Sequence, residues 1–319
     1  MILPAGEALF DMIKRPDSAL IEPVIGGSTL NVALGLARLG RPTGYLTKLS
    51  TDYFGNQLAD FLAREGIAMD HVVRAPGMQT TLAFAFLQPG GHADYCFYVE
   101  GAADRSLSPA DLPEIWPDDV TAAHFGSFSL AIEPIGSTLA ALLLALSPSR
   151  FISLDPNIRA SLIPDRAKWL QRFETLLPAS DFVKASIEDV AWISARDVAA
   201  VDAAATARDW SQAGPKIAVI TDGGRGATVA VGGETRFVPA HVVDVIDTVG
   251  AGDTFQAAYL ARLDELGLLS KSAIRTIDID LAEDVARFAV AAAAITCTRR
   301  GADLPSRADV DAFLTRKGA

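Results

Sequence analysis

The sequence predicts an α/β protein with a doubly wound, mostly parallel sheet flanked by helices and a small β lid. Two observations predict this class. From residue 122 to residue 221, short β-branched or aromatic runs alternate with segments of helical periodicity. Between residues 80 and 100, two strand-like runs interrupt that alternation, which indicates a hairpin projecting from the main sheet.

The first third of the chain supplies a buried helix and the lid. Residues 26–40 are apolar on nearly every side of a helix, and the helix is expected to end at Gly40. The elements expected next are a strand over 43–50, a helix over 54–64, a strand over 71–74, and strands over 80–87 and 95–100 around Pro89-Gly90-Gly91. The predicted lid comprises residues 12–24 and 79–103.

The middle of the chain alternates strands and helices. The expected elements are strands over 122–126, 151–155, 182–185 and 216–221 and helices over 134–146, 167–177, 188–193 and 199–213. Polar loops follow the last three strands, at 155–159, 184–189 and 221–226. Because ligands bind beyond the carboxyl ends of strands in this architecture, we expect these loops to share one binding rim.

The segment 246–255, Ile-Asp-Thr-Val-Gly-Ala-Gly-Asp-Thr-Phe, is the strongest candidate for a reactive site. The β-branched run 242–246 predicts a strand before it, and the apolar periodicity after it predicts a helix. A helix that begins at Gly250, Ala251 and Gly252 presents unpaired N–H groups and a positive dipole end, which suit an anion. Asp253 would repel that anion, so it fits better as a base for a hydroxyl that attacks a phosphate. The alternative is an ordinary capped helix with an acid in its first turn.

Composition restricts the partners. The chain has 319 residues, 50% of them apolar, and no repeat or low-complexity linker, so we expect one domain over 1–319. Its net charge of −11 and its lack of a basic run disfavour nucleic acid and anionic membranes. Cys96 and Cys297 lie too far apart in sequence to indicate a disulfide framework or a zinc site. With no secretory signal and no membrane span in the sequence, cytoplasm is the expected location.

Two segments resemble the signatures of a known family, the PfkB (ribokinase-like) carbohydrate kinases. Residues 26–40 resemble the first signature and residues 247–255 the second. Further matching segments follow in order over nearly the whole chain: 6–11, 52–55, 155–159 and 298–302. Phe97-Tyr98, 103–105, 124–127 and 183–186 are most similar to bacterial fructokinases.

The resemblance implies a ribokinase-like fold and a sugar kinase. ATP would donate its γ-phosphoryl group to a primary hydroxyl of a monosaccharide, D-fructose first, with 2-keto-3-deoxygluconate or ribose as the alternative acceptor. A non-catalytic sugar- or nucleotide-binding protein is the alternative from a different class. A homodimer is also implied, since exposed lid strands pair readily between subunits.

Individual roles follow from the same resemblance. Asp253 would be the catalytic base, and Gly250, Ala251 and Gly252 would form the anion hole. The sugar would be held by Asp11, Gly26, Gly27, Asn31, Phe97 and Arg159. The nucleotide would be bound by Lys184, Ser186, Thr221, Gly223, Gly226 and Ala289.

Cation sites are implied in the same way. Many family members carry Asn-x-x-Glu where this chain has Ser186 and Asp189, so Asp189 would contact Mg²⁺ through water, with Glu188 as its rival. Asp247 and the Val249 carbonyl would belong to a site for a monovalent cation such as K⁺.

Overall fold

The computed structural model of the protein describes residues 1–15, 18–87 and 93–317. The strands are β1 (Ile2–Ala5), β2 (Leu9–Lys14), β3 (Ile21–Gly26), β4 (Thr47–Ser50), β5 (Val72–Ala75), β6 (Leu82–Leu87), β7 (Ala93–Tyr98), β8 (Ala122–Gly126), β9 (Phe151–Asp155), β10 (Phe182–Ser186), β11 (Ile217–Thr221), β12 (Gly226–Val231) and β13 (Glu234–Pro239). The helices are α1 (Ser28–Arg38), α2 (Tyr53–Arg64), α3 (Ile135–Leu146), α4 (Arg166–Leu176), α5 (Ile187–Ser194), α6 (Ala203–Gln212), α7 (Ala251–Glu265), α8 (Ile279–Cys297) and α9 (Arg307–Lys317).

The central sheet has the strand order β1-β8-β9-β10-β11-β12-β13. Its first five strands are parallel, and β12 and β13 join as an antiparallel edge. The prediction of a mostly parallel sheet flanked by helices is therefore confirmed.

Helices cover both faces of this sheet because successive residues of each strand point to opposite sides. Phe151 and Phe182 pack with α1, α7 and α8, where Tyr259 stacks on Phe182 with ring centroids 4.5 Å apart. Ile152 and Val183 pack with α3, α4 and α5 on the other face. Since both faces are covered, the carboxyl ends of the strands are where polar loops can surround a ligand.

A second sheet, in the order β3-β2-β6-β7, contains the strands of the predicted lid. Ala83 and Ala85 of β6 are buried beneath it, whereas Phe84 and Phe86 lie on its other face, where Tyr98 contacts Phe84 edge-on. The predicted loop Pro89-Gly90-Gly91 lies outside the described residues, as do residues 16–17 of the lid.

The predicted strand over 242–246 is wrong. Val242 and Val245 are 91% and 62% exposed, and the Ile246 N–H donates to the Cys297 carbonyl at the end of α8 (2.8 Å) instead of to a strand. The β-branched composition favours extended backbone there but cannot supply a ladder partner. The antiparallel edge is instead the β12–β13 hairpin, which is not among the elements expected from the sequence. This hairpin turns at Gly232 and Gly233, both with positive φ.

No helix in the described ranges combines the length and apolar content needed to cross a bilayer.

Candidate active site

The segment 246–255 begins helix α7 as predicted. Gly250 adopts a left-handed conformation (φ 78°) immediately before the helix, and an added Cβ would come within 2.7 Å of the Ala302 Cβ. Glycine is therefore required for this turn both by backbone conformation and by space. The turn directs the first N–H groups of α7 toward the loops at the carboxyl ends of the parallel strands.

A buried ion pair lies beside this helix terminus. Lys184 Nζ is 2.7 Å from Asp155 Oδ2, and it is 3.2 Å from where a Cβ on Gly252 would stand. Burial alone would lower the pKa of Lys184, but the attraction of Asp155 outweighs it and the pKa is raised. Burial raises the pKa of Asp155 to about 6, partly offset by Lys184. A charged ammonium group is thus held against the first turn of α7.

Asp253 is buried (7% exposed) and surrounded by hydrogen-bond donors. Its Oδ1 accepts from Ser28 Oγ at 2.7 Å and from Asn157 Nδ2 at 3.3 Å. Its Oδ2 accepts from Asn31 Nδ2 at 2.8 Å. Each of these groups donates to the carboxylate, so Asp253 is oriented as an acceptor, which is the state a base needs.

Asp253 opens into a first cavity of about 630 Å³ between the lid and the loops. Its lining includes most of the predicted sugar-binding residues: Asp11, Gly27, Asn31, Phe97 and Arg159. Gly26 lies behind them, where a Cβ would overlap Asp11 Oδ2, so this glycine makes room for Asp11. Burial raises the pKa of Asp11 to about 6; Arg159 partly offsets this effect, and Asp253 adds to it.

A second cavity of about 340 Å³ lies on the other side of the α7 terminus. It is lined by five of the six predicted nucleotide residues: Lys184, Ser186, Thr221, Gly223 and Gly226. The prediction for Ala289 is wrong, because this residue is fully buried in the core. The face of α8 that lines the cavity is one residue further on, at Val290, Ala293, Ala294 and Cys297. The second half of α8 is apolar on every side, but the charged residues of its first half gave a usable signal: Val290 and Ala294 lie seven residues, or two helical turns, after Glu283 and Arg287.

The two cavities meet at the first turn of α7. Asn157, Thr248 and Gly252 line both. A hydroxyl compound in the first cavity and a phosphate ester in the second would therefore approach each other beside Asp253. This arrangement suits transfer of a phosphoryl group between them.

Asp189 and Glu188 differ in their contacts. Asp189 Oδ2 accepts from the backbone N–H and hydroxyl of Ser186, both at 2.8 Å, and Oδ1 accepts from the Ile158 N–H at 2.7 Å. This capping box begins α5 and ties it to the loop after β9. Glu188 is exposed, and both carboxylates line the second cavity.

Asp247 stabilises the loop before α7 through hydrogen bonds to its carboxylate. Its Oδ1 accepts from the Val249 N–H and its Oδ2 from the Gly301 N–H, both at 3.0 Å. In the part of the chain that the structure describes, no cluster of three or more His, Cys, Asp or Glu residues could hold a metal ion. Carbonyl oxygens or ligand phosphates would have to complete any cation site here.

The sequence did not reveal the hydrogen bonds that Glu7, Ser28 and Asn157 make in this site. The Ser28 hydroxyl donates to Asp253 Oδ1, and the Ser28 N–H donates to Glu7 Oε1 at 3.0 Å. Glu7 is buried and also accepts from the Ser129 hydroxyl; burial raises its pKa to about 7. A carboxylate at the end of a buried apolar strand was the available signal for Glu7. The contacts of Ser28 and Asn157 span 225 and 96 residues and left no local signal.

Comparisons with known proteins agree with this geometry. The chain matches the pattern of the pfkB family carbohydrate kinases over residues 11–309. A fructokinase of Rhizobium leguminosarum bv. trifolii is 41% identical over 282 residues, which cover 87% of this chain and 84% of that protein.

Solved structures share the fold over nearly the full length. A fructokinase with bound ATP from Xylella fastidiosa is 27% identical, with a TM-score of 0.89 and coverage of 100% of this chain and 99% of that chain. A fructokinase from Vibrio cholerae O395, in a form with bound fructose, ADP and calcium ion, is 25% identical, with a TM-score of 0.83 and 98% coverage of both chains. The ribokinase-like fold predicted from the sequence is confirmed, and the chain belongs to the pfkB family of carbohydrate kinases.

Proposed function

We propose that this protein is a fructokinase, which transfers the γ-phosphoryl group of ATP to a primary hydroxyl of D-fructose. One observation carries the proposal: Asp253 lies at the junction of two cavities, at the first turn of a helix that begins with glycine. A similar protein from Vibrio cholerae binds fructose and ADP, and one from Xylella fastidiosa binds ATP.

The base would be Asp253. A sugar hydroxyl entering the first cavity would displace or share one of the three donors that hold the carboxylate. Its proton would pass to Asp253 as the oxygen attacks the γ-phosphorus, the bond from that phosphorus to the β,γ-bridging oxygen breaks, and ADP leaves. The burial of Asp253 limits competition from water for that proton.

The anion hole would be the first turn of α7, at Gly250, Ala251 and Gly252. Negative charge that develops on the transferring group would meet N–H groups fixed by the helix and the ammonium of Lys184 behind them. Because these groups are already oriented in the protein, little reorganisation is needed during transfer.

Sugar recognition would fall to Asp11, Asn31 and Arg159, with Gly27 allowing close approach to backbone and Phe97 packing on the ring. Carboxylate, carboxamide and guanidinium groups together offer acceptors and donors for adjacent hydroxyls. The cavity of about 630 Å³ accommodates a hexose.

The nucleotide would occupy the second cavity. Lys184, Ser186, Thr221, Gly223 and Gly226 would bind its phosphates and ribose. The adenine would lie against the small-residue face of α8, at Val290, Ala293 and Ala294, where flat rings fit closely.

Two cations would assist. Asp189 or Glu188 would hold Mg²⁺ through water, since carboxylate oxygens suit a hard divalent ion and both line the nucleotide cavity. Mg²⁺ supplies charge neutralisation on the nucleotide phosphates. Asp247 and the Val249 carbonyl would contribute to a K⁺ site next to the anion hole.

We also propose one kinase domain over 1–319, with residues 12–24 and 79–103 as its lid, acting as a cytoplasmic homodimer. The outer face of the lid exposes Phe86 (39%) and Tyr98 (62%), which supports pairing with a second copy through the lid. Light scattering at micromolar concentration tests the dimer.

A panel of sugars in a coupled ADP-release assay tests the function. We expect the highest kcat/KM with fructose. A higher kcat/KM with 2-keto-3-deoxygluconate or ribose would mean that this sugar, and not fructose, is the acceptor. Binding of fructose and ATP without ADP release would instead support a non-catalytic binding protein.

A further inference from the structure

Asn157 joins the parts of the site that come from distant regions of the chain. It lines both cavities, and its Nδ2 donates to Ser28 Oγ at 2.7 Å and to Asp253 Oδ1 at 3.3 Å. Its Oδ1 accepts from Arg159 Nη1 at 2.7 Å. One carboxamide therefore connects α1, α7 and the loop after β9.

The backbone of Asn157 is in the left-handed region, with φ 35°. In the described part of the chain, Ser127 and Ala195 are the other non-glycine residues with positive φ. This conformation is disfavoured by a Cβ, although asparagine tolerates it better than most residues. Glycine would satisfy the backbone more easily, so the backbone alone does not account for the asparagine.

Neighbouring groups fix this conformation from both sides. The Asn157 N–H donates to Asp155 Oδ1 at 3.2 Å, and the next N–H, of Ile158, donates to Asp189 Oδ1 at 2.7 Å. Asp155 is itself paired with Lys184, and Asp189 caps α5. A disfavoured backbone conformation that is held this firmly beside a reactive group is characteristic of residues that serve the site.

We propose that Asn157 is a positioning residue that orients the Asp253 carboxylate toward the acceptor hydroxyl, an inference that rests on the proposed kinase function. Asp253 Oδ1 is shared between Ser28 and Asn157, while Oδ2 is held by Asn31. When a sugar hydroxyl takes one of the Oδ1 interactions, the Asn157 donor still limits rotation of the carboxylate. Asn157 also donates to Ser28 Oγ and so orients the hydroxyl that faces the base.

The test compares two glycine substitutions that both relieve a left-handed backbone. Asn157→Gly removes the carboxamide, whereas Ala195→Gly changes an exposed left-handed residue at the end of α5, outside both cavities. We expect Ala195→Gly to keep the parent kcat. We expect Asn157→Gly to remain folded, because relief of the backbone offsets part of the lost side-chain hydrogen bonds, while its kcat falls about 10- to 100-fold, with KM for ATP and fructose changing much less.

Asn157→Asp is the second variant. It keeps the shape and the tolerance for positive φ but replaces the donor with a carboxylate oxygen facing Asp253, so its kcat should fall at least as far as that of Asn157→Gly. Parental kcat in either variant overturns the inference, as does a loss of activity confined to KM. A parent protein that phosphorylates no sugar would overturn the proposed function together with this inference, whereas an active parent with fully active variants overturns the inference alone.

Discussion

Replacing Asp253 with asparagine should abolish most turnover without unfolding the protein. One carboxylate oxygen becomes an NH₂ group. On the Oδ1 side, the Ser28 hydroxyl at 2.7 Å can reverse and accept from it, and the donor–donor contact with Asn157 Nδ2 is the long one at 3.3 Å. On the other side, Asn31 Nδ2 at 2.8 Å would meet donor with donor at close range. We therefore expect the amide oxygen to stay opposite Asn31, at a cost to the free energy of unfolding of about 1–2 kcal/mol.

The kinetic effect should be much larger than the structural one. A positioned base contributes about 10²- to 10⁴-fold, which corresponds to about 3–5 kcal/mol in the activation barrier. ATP should still bind, because Asp253 does not line the second cavity. The assay is ADP release at saturating fructose, with ATP affinity measured by calorimetry.

Asp280→Asn is a matched control, since Asp280 also lies in the first turn of a helix but its side chain is 83% exposed and lines neither cavity. We expect it to keep parental turnover. Turnover in Asp253→Asn within a few-fold of the parent would refute the assignment of the base. Loss of ATP binding in the same variant would show that the two cavities are not separated as described.

Three further results are expected. Gly252→Ala should fold normally, because Gly252 lies inside a helix. The added methyl group would stand 3.2 Å from Lys184 Nζ, so kcat should fall in the ADP-release assay. An unchanged kcat would count against the proposed anion hole. Ala294→Leu should raise the KM for ATP by filling the second cavity and leave the KM for fructose unchanged, whereas Ala289→Leu should mainly lower the melting temperature by overpacking the core. Because burial raises the pKa of Asp11 to about 6, the carboxyl loses its charge as the pH falls through that value, so the KM for fructose should rise below about pH 6. Asp11→Asn should lack this step, and a pH-independent parent KM would contradict the role of Asp11.

Much of the fold could be predicted because the strands of a doubly wound sheet are short, apolar and separated by helical periodicity. Strands β8 and β9 have the predicted bounds, 122–126 and 151–155. The helix that begins at Ser28 ends near Gly40, which adopts φ 75° as a terminating glycine does. In these segments local composition and tertiary environment favour the same structure.

The errors arose where the local composition favours one backbone structure and the tertiary environment imposes another. Residues 242–246 have strand-forming side chains, but the Ile246 N–H donates to the Cys297 carbonyl at the end of α8 and not to a neighbouring strand. In the β12–β13 hairpin, the Gly232-Gly233 pair that follows the apolar run 227–231 was a usable signal for a two-residue turn.

The candidate site was predictable only as far as its residues lie in recognisable segments. The first turn of α7 and the loops after β9, β10 and β11 could be assigned because each has local polar or glycine-rich composition. The hydrogen bonds that orient Asp253 could not, because they connect residues 28, 31, 157 and 253 through the tertiary fold.

The central step is phosphoryl transfer from ATP to a primary hydroxyl of fructose beside Asp253. The most direct measurement is phosphorus NMR of the products after the purified protein is mixed with ATP, Mg²⁺ and fructose. We predict equal amounts of ADP and a fructose phosphomonoester whose phosphorus couples to two protons, as an ester of a primary alcohol does. Release of inorganic phosphate with unmodified fructose, or an ester at a secondary hydroxyl, would contradict it.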